Sequence, residues 1–275
     1  MHIFYQDEIT RGLDIKSEIL SRGWIPYRIE TENFHSSIRD INRLIFASSD
    51  SSPVFGFASL RVATQHKRFN LPEVGRGMVM DKRKLTWSSY ATILPPSLLL
   101  NPFGVMFPWA SLMREDVVKT LKVIFGDRGV FLRPNSPLKP FAGFPTSWDD
   151  YEYNIQAYKQ LEHVSPGEVV VVSSVKQVDP VEWRFWVTAG KIATFSPYSW
   201  GEVPEGVSDP PNGMLEIVER AIDHLEGYED SLVIDVAETE FGSKIIELNG
   251  LSTSGFYPKM SVGDLLDALP RMYGF

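Results

Sequence analysis

Glu247 and Asn249 close an apolar run, Ile245-Ile246-Glu247-Leu248-Asn249-Gly250, that reads as a buried strand. Residues two apart on a strand share a face, so the carboxylate and the carboxamide present their oxygens side by side. Burying both without a partner is costly. A hard cation such as Mg²⁺ satisfies both at once. Asp235 ends a second apolar run, Leu232-Val233-Ile234. If the two runs pair as a hairpin through residues 239–243, Asp235 joins Glu247 and Asn249 at one sheet edge as a third oxygen ligand. The plainer alternative is that Asp235 starts a polar strand end and Glu247 pairs with a lysine. The Asn-Gly-Leu-Ser-Thr-Ser-Gly continuation from Asn249 favours the metal.

Cations stand elsewhere in the chain. Arg133 closes the strand-like Val130-Phe131-Leu132-Arg133, and Lys139 sits in the Pro- and Gly-rich stretch 134–145 that follows. A guanidinium and an ammonium flanking a mobile loop suit a polyphosphate, and Gly143 allows close backbone approach. Ordinary surface placement of both is the alternative. In "EWRFWV", Glu182 and Arg184 alternate with Trp183, Phe185 and Val187. Either Arg184 stabilises charge on a transferring phosphoryl group, or the strand face is exposed and carries a weak ion pair.

Composition excludes several other chemistries. The chain has no cysteine, which rules out disulfides, thiolate zinc sites and cysteine nucleophiles. Its five histidines are scattered without metal-ligand spacing. Ser252 and Ser254 lack a glycine-elbow context, and no Gly-rich loop precedes a Lys-Ser/Thr pair. The net charge of −8 argues against a general nucleic-acid coat. No apolar run reaches the ~18 residues of a membrane span, and no signal peptide is read at "MHIFYQDEIT". A folded cytoplasmic protein is the expectation, with no oligomeric state assigned.

The elements that must position these residues read as mixed α and β structure. "HIFYQ" (2–6), "WIPYRIE" (24–30), "NRLIFASS" (42–49) and "PVFGFASL" (53–60) are strand-like, with a helix over 11–23 and Pro26 suggesting an edge. Residues 93–109 carry four prolines and read as an irregular crossover. A domain boundary is placed near residue 110, dividing 1–110 from 111–275. In the second part, helices are expected over 111–125, over 148–161 with Ser147 as cap, and over 212–227 with Asn212 as cap. Strands are expected at 129–133, 168–175, 182–188, 191–198, 231–239 and 244–250. Ala189-Gly190 signals a hairpin, and Phe241-Gly242 marks a second turn.

The order of these constellations resembles the ATP-grasp superfamily, most closely the small ATP-grasp proteins of bacteriophages and bacteria. The resemblance rests on "FLRPNSPLKPFAG", "EWRFWVTAGKIATFSPY" and "VIDVAETEFGSKIIELNGLSTSGFY" and covers roughly residues 100–260. It implies an ATP-grasp fold, two α+β subdomains gripping ATP, behind an N-terminal pre-grasp α/β domain. It implies that Arg133 and Lys139 bind the ATP phosphates and that the hinge 171–175, with Val172, Ser173 and Ser174, pairs with adenine. Lys176 and Glu182 join the nucleotide contacts, and Arg184 meets the γ-phosphate or an acyl phosphate. Asp235, Glu247 and Asn249 hold Mg²⁺. Many members carry an acidic hinge residue for the ribose where this chain has serines.

The activity implied is ATP-dependent joining of a carboxylate to an amine or thiol, on a small molecule, a peptide or a protein. An ATP-binding module without turnover, or a kinase acting on a hydroxyl, are the other readings. Tyr198, Trp200 and Tyr257 either line an acceptor pocket or simply pack.

Overall fold

The computed structural model describes residues 1–30, 37, 39, 40, 53–65, 76–159, 164–199 and 201–274. The strand expected at 42–49, and Trp200, lie outside them. Among the described residues, three four-stranded sheets organise the chain.

The first sheet is parallel. In it β1 (His2–Gln6) lies between β2 (Ile25–Ile29) and β3 (Val54–Phe57), and β4 (Arg76–Gly77) pairs with β3. Pro26 is on the edge strand, where a missing N–H costs least. Phe4 packs onto Gly56 so closely that a Cβ there would lie 1.9 Å from the ring. The helix expected over 11–23 is shorter, Ile15–Ser21, and a separate helical turn precedes it. Helix α1 (Asp7–Thr10) stops because Arg11 and Gly12 take left-handed φ values of 50° and 81°. Helix α2 (Ile15–Ser21) restarts on Asp14, whose carboxylate accepts from the Ser17 amide at 3.1 Å.

Helices α3 (Leu60–Gln65) and α4 (Trp87–Ile93) lead to the crossover. Thr86 caps α4 at the Ser89 amide, 3.2 Å away. The crossover is tied down: the Leu100 amide donates to the Ile245 carbonyl at 2.9 Å and the Ile245 amide to that of Leu98 at 2.8 Å. Its last part is not irregular as expected. It forms β5 (Val105–Pro108), because a valine-rich strand lies alongside to complete its ladder.

The second sheet is antiparallel, with α5 (Glu115–Phe125), β6 (Val130–Pro134), β7 (Phe144–Thr146), α6 (Tyr151–Lys159) and β8 (Val169–Ser174) following β5. Its strand order is β5-β8-β6-β7. Side-chain alternation along β8 puts Val170 and Val172 into the core with Leu112, Leu121 and Ile155. Val171 points the other way, into the core that holds Trp87 and Tyr90. Arg133 is paired with Val171 and shares that second face. Ser147 does not cap the helix, which starts at Tyr151; its hydroxyl accepts from the Asp150 amide at 3.1 Å and closes the turn that precedes it.

The third sheet is also antiparallel. It comprises β9 (Val181–Thr188), β10 (Lys191–Ser199), β11 (Leu232–Ala237) and β12 (Lys244–Gly250) in the order β10-β9-β11-β12. Ala189 and Gly190 turn the β9–β10 hairpin with φ values of 47° and 69°. Helix α7 (Asn212–Leu225), between β10 and β11, buries Met214, Val218 and Ala221 against Phe185, Ile234 and Val236. Asn212 does not cap it: Pro211 occupies the capping position and makes no side-chain bond, so Asn212 is the first helical residue. The opposite face of the sheet presents Trp186 and Val233 to Phe256 and to α8 (Val262–Ala268). One step further along the strands, the same face carries Arg184 paired with Asp235.

Candidate active site

The site forms where three adjacent strands bring polar residues into register. Asp235 is opposite Arg184 on β9 and opposite Glu247 on β12. The hairpin expected between residues 235 and 247 is therefore present, and it does place these side chains together. Next to this pair the register slips: Val236 pairs with Ile245, so Ile246 is the extra residue of a bulge. Bulges re-aim side chains and free backbone groups. Here Ile245 stays in the core while Glu247 faces the site, and the Ile246 carbonyl accepts from Arg133 Nη1 at 2.9 Å.

Asp235 is fully buried. Its Oδ1 accepts from Arg184 Nε and its Oδ2 from Arg184 Nη2, both at 2.7 Å. This two-pronged geometry is the strong form of a carboxylate–guanidinium pair. Arg184 is 8% exposed, so an exposed strand face with a weak ion pair does not describe it. Burial pushes the Asp235 carboxyl above its ordinary range and Arg184 pulls it back. Burial opposes the charge on Arg184, yet Asp235 more than offsets it and holds the guanidinium ionised. Arg184 Nη1 also donates to the Gly255 carbonyl at 3.2 Å.

Glu247 lies between cations from the second sheet. Lys139 Nζ contacts Oε1 at 2.5 Å and Arg133 Nη2 contacts Oε2 at 3.1 Å. Burial raises its carboxyl, but Lys139 and then Arg133 outweigh that and hold it far below the usual carboxylate range. Asn249 Nδ2 bridges the two acids, 2.9 Å from Asp235 Oδ2 and 3.0 Å from Glu247 Oε1. Glu247 does pair with a lysine, as the plainer reading of the sequence had it, and it does so inside the polar cluster.

The donor set suits a hard divalent cation. Two carboxylates and a carboxamide meet within hydrogen-bond range, and Asp235 Oδ1 retains a lone pair beyond its single bond to Arg184. Half a turn of the Asn249 amide exchanges its nitrogen for its oxygen. Three cations, Arg133, Lys139 and Arg184, surround two anions, Asp235 and Glu247. The excess positive charge suits a polyanion.

The remaining candidates extend from this cluster. Glu182 accepts from the Tyr198 hydroxyl, and burial raises its carboxyl while that bond lowers it. Tyr198 stacks on Tyr257 at 4.5 Å between centroids. The Arg184 guanidinium is within 5.3 Å of the Tyr198 ring and 5.1 Å of the Tyr257 ring. Arg11, from the first sheet's unit, reaches over Tyr257 at 4.5 Å, a contact without a motif in the sequence. Val172 and Ser173 lie inside β8, with Val172 turned into the far core. β5 pairs with β8 no further than Val172, so the strand edge at Ser173 and Ser174 extends past it. Lys176 is exposed in the connection to β9.

Two antiparallel sheets that meet at a cluster of charged side chains, together with a parallel N-terminal sheet, make up an ATP-grasp fold. A family model described as an ATP-grasp domain, the third family of its clade, matches residues 70–271, and the chain belongs to that ATP-grasp family. Solved structures share the architecture at low identity. D-cycloserine synthetase DcsG matches with a TM-score of 0.65 at 11% identity, over 99% of this chain and 100% of that one. Macrocyclase MdnC bound with precursor peptide MdnA, from Microcystis aeruginosa MRC, matches at 0.58 and 11%, with 100% of each chain covered. The ATP-grasp ligase PsnB, complexed with minimal precursor, Mg and ADP, matches at 0.55 and 12%, over 98% and 96%. No curated protein matches the sequence significantly. Among the described residues, no helix is long and apolar enough to cross a membrane.

Proposed function

We propose that the chain is an ATP-dependent ligase that joins a carboxylate to an amine or thiol through an acyl phosphate. The observation that carries this reading is the meeting of Asp235, Glu247 and Asn249 with Arg133, Lys139 and Arg184 between two sheets. A carboxylate is a poor electrophile because oxide would have to leave. Transfer of the γ-phosphoryl group from ATP to a carboxylate oxygen releases ADP and gives an acyl phosphate. The acceptor nitrogen or sulfur then attacks the carbonyl carbon, phosphate leaves, and the acceptor's proton passes to solvent.

In this scheme Arg133 and Lys139 hold phosphate oxygens, which requires them to release Glu247. Arg184, fixed by Asp235, faces the anionic acyl phosphate. Asp235, Glu247 and Asn249 hold Mg²⁺, which when bound offsets charge on the triphosphate. Residues Ser173, Ser174 and Lys176, with the Val172 backbone and Glu182, contact the nucleoside. The loop 134–145 excludes water from the acyl phosphate. We read residues 1–110 as the pre-grasp unit and 111–275 as the ATP-grasp unit, in the cytoplasm. MdnC is bound with a precursor peptide and PsnB is complexed with a minimal precursor, and this supports a peptide or protein substrate.

Incubation with Mg-ATP and candidate acids and amines tests the reading. ADP and phosphate formed only when both acid and acceptor are present support the ligase. ADP with a phosphorylated hydroxyl acceptor identifies a kinase instead, and binding without turnover a nucleotide-holding module.

A further inference from the structure

Tyr90 is a fully buried residue of α4 whose hydroxyl proton finds no acceptor. Its ring packs in the core with Trp87, Leu94 and Leu248. Burial acts most strongly on the hydroxyl; among the charges Arg133 comes first and can donate to its oxygen, followed by Glu247 and Asp235. Arg133 offers only donors. The Glu247 oxygens already accept from Lys139, Arg133 and Asn249. The Tyr90 hydroxyl makes no bond to them, and a buried donor without an acceptor destabilises the fold. Phenylalanine would fill the same space without the penalty. Ser173 Oγ is another of the buried hydroxyls without a partner, with those of Ser59, Thr188 and Tyr273. Its strand parity with Val171, the partner of Arg133, puts it on the same face of the second sheet.

We propose that the Tyr90 hydroxyl is a phosphate-binding group, donating to an oxygen of the nucleotide phosphates that Arg133 holds. This rests on the nucleotide reading of the site. A phosphate drawn to the guanidinium brings the missing acceptor to the hydroxyl, so the group is unsatisfied in the free protein and satisfied in the complex. Retaining an unsatisfied donor at a binding site exchanges stability for affinity.

Tyr90→Phe separates the two effects. Without ligand, its melting temperature is expected to equal or exceed that of the wild type. Its Kd for a non-hydrolysable Mg-ATP analogue, by titration calorimetry, is expected to rise about tenfold, with adenosine binding unchanged. Equal affinity of variant and wild type for the analogue would overturn the proposal. So would an equal loss for adenosine, or a lower ligand-free melting temperature, which would show that the hydroxyl already has a partner such as a bridging water. Failure of the wild type to bind the analogue would overturn the nucleotide reading and this proposal together.

Discussion

Asp235→Asn isolates the contact that organises the site. The substitution keeps the shape of the side chain and removes its charge. Arg184 then remains buried with a neutral partner able to accept only one of the two bonds made in the wild type. Breaking a buried pair on one side costs about 3–5 kcal/mol, because the surviving charge is uncompensated. In a chain of this size each kcal/mol shifts the melting temperature by about 2–4 °C, so a fall of roughly 6–20 °C is expected. Circular dichroism melts and urea titrations measure it. Arg184→Met combined with Asp235→Leu should recover much of the loss, since apolar replacement of both members of a buried pair is often tolerated. A loss below ~1 kcal/mol for Asp235→Asn would match a solvated surface pair and refute the buried geometry.

Three further outcomes follow from the same contacts. Glu247→Gln should abolish ADP formation and also cost stability, since Glu247 is held between two cations rather than facing solvent. Its folded-state carboxyl lies below the unfolded one, so its contribution is present above the unfolded value and is lost as pH falls toward the folded one. Urea midpoints should therefore drop in acid more steeply for the wild type than for Glu247→Gln. Lys139→Gln should remove turnover while changing stability by less than ~1 kcal/mol, because Lys139 is 39% exposed; a large melting shift would make it structural. Gly56→Ala should destabilise the first sheet by about 1–3 kcal/mol, since the added Cβ overlaps the Phe4 ring. Hydrogen exchange at β1 and β3 reads this locally.

The legible parts of the sequence were those set by local periodicity. Alternation in 182–188 and apolar runs in 231–239 and 244–250 mark strands, and two short turns make hairpins of them. That was enough to bring Asp235 beside Glu247 and Asn249. Contacts between remote segments left no local trace. Arg184 and Asp235 are 51 residues apart, and only the β9–β11 register joins them. The bulge at Ile246, which frees its carbonyl for Arg133, depends on two strands slipping past each other. β5 looked irregular because its prolines hid a ladder completed by β8. Tyr90, in "WSSYATI", belongs to no motif, and only the fold sets its hydroxyl among the charges.

The most direct test of the nucleotide site is diffraction from crystals grown with Mn²⁺ and a non-hydrolysable ATP analogue. The account predicts an anomalous peak at coordination distance from Asp235, Glu247 and Asn249, with phosphate oxygens on Arg133 and Lys139. A nucleotide bound elsewhere, or a Glu247 still paired with Lys139 while the analogue is present, would contradict it.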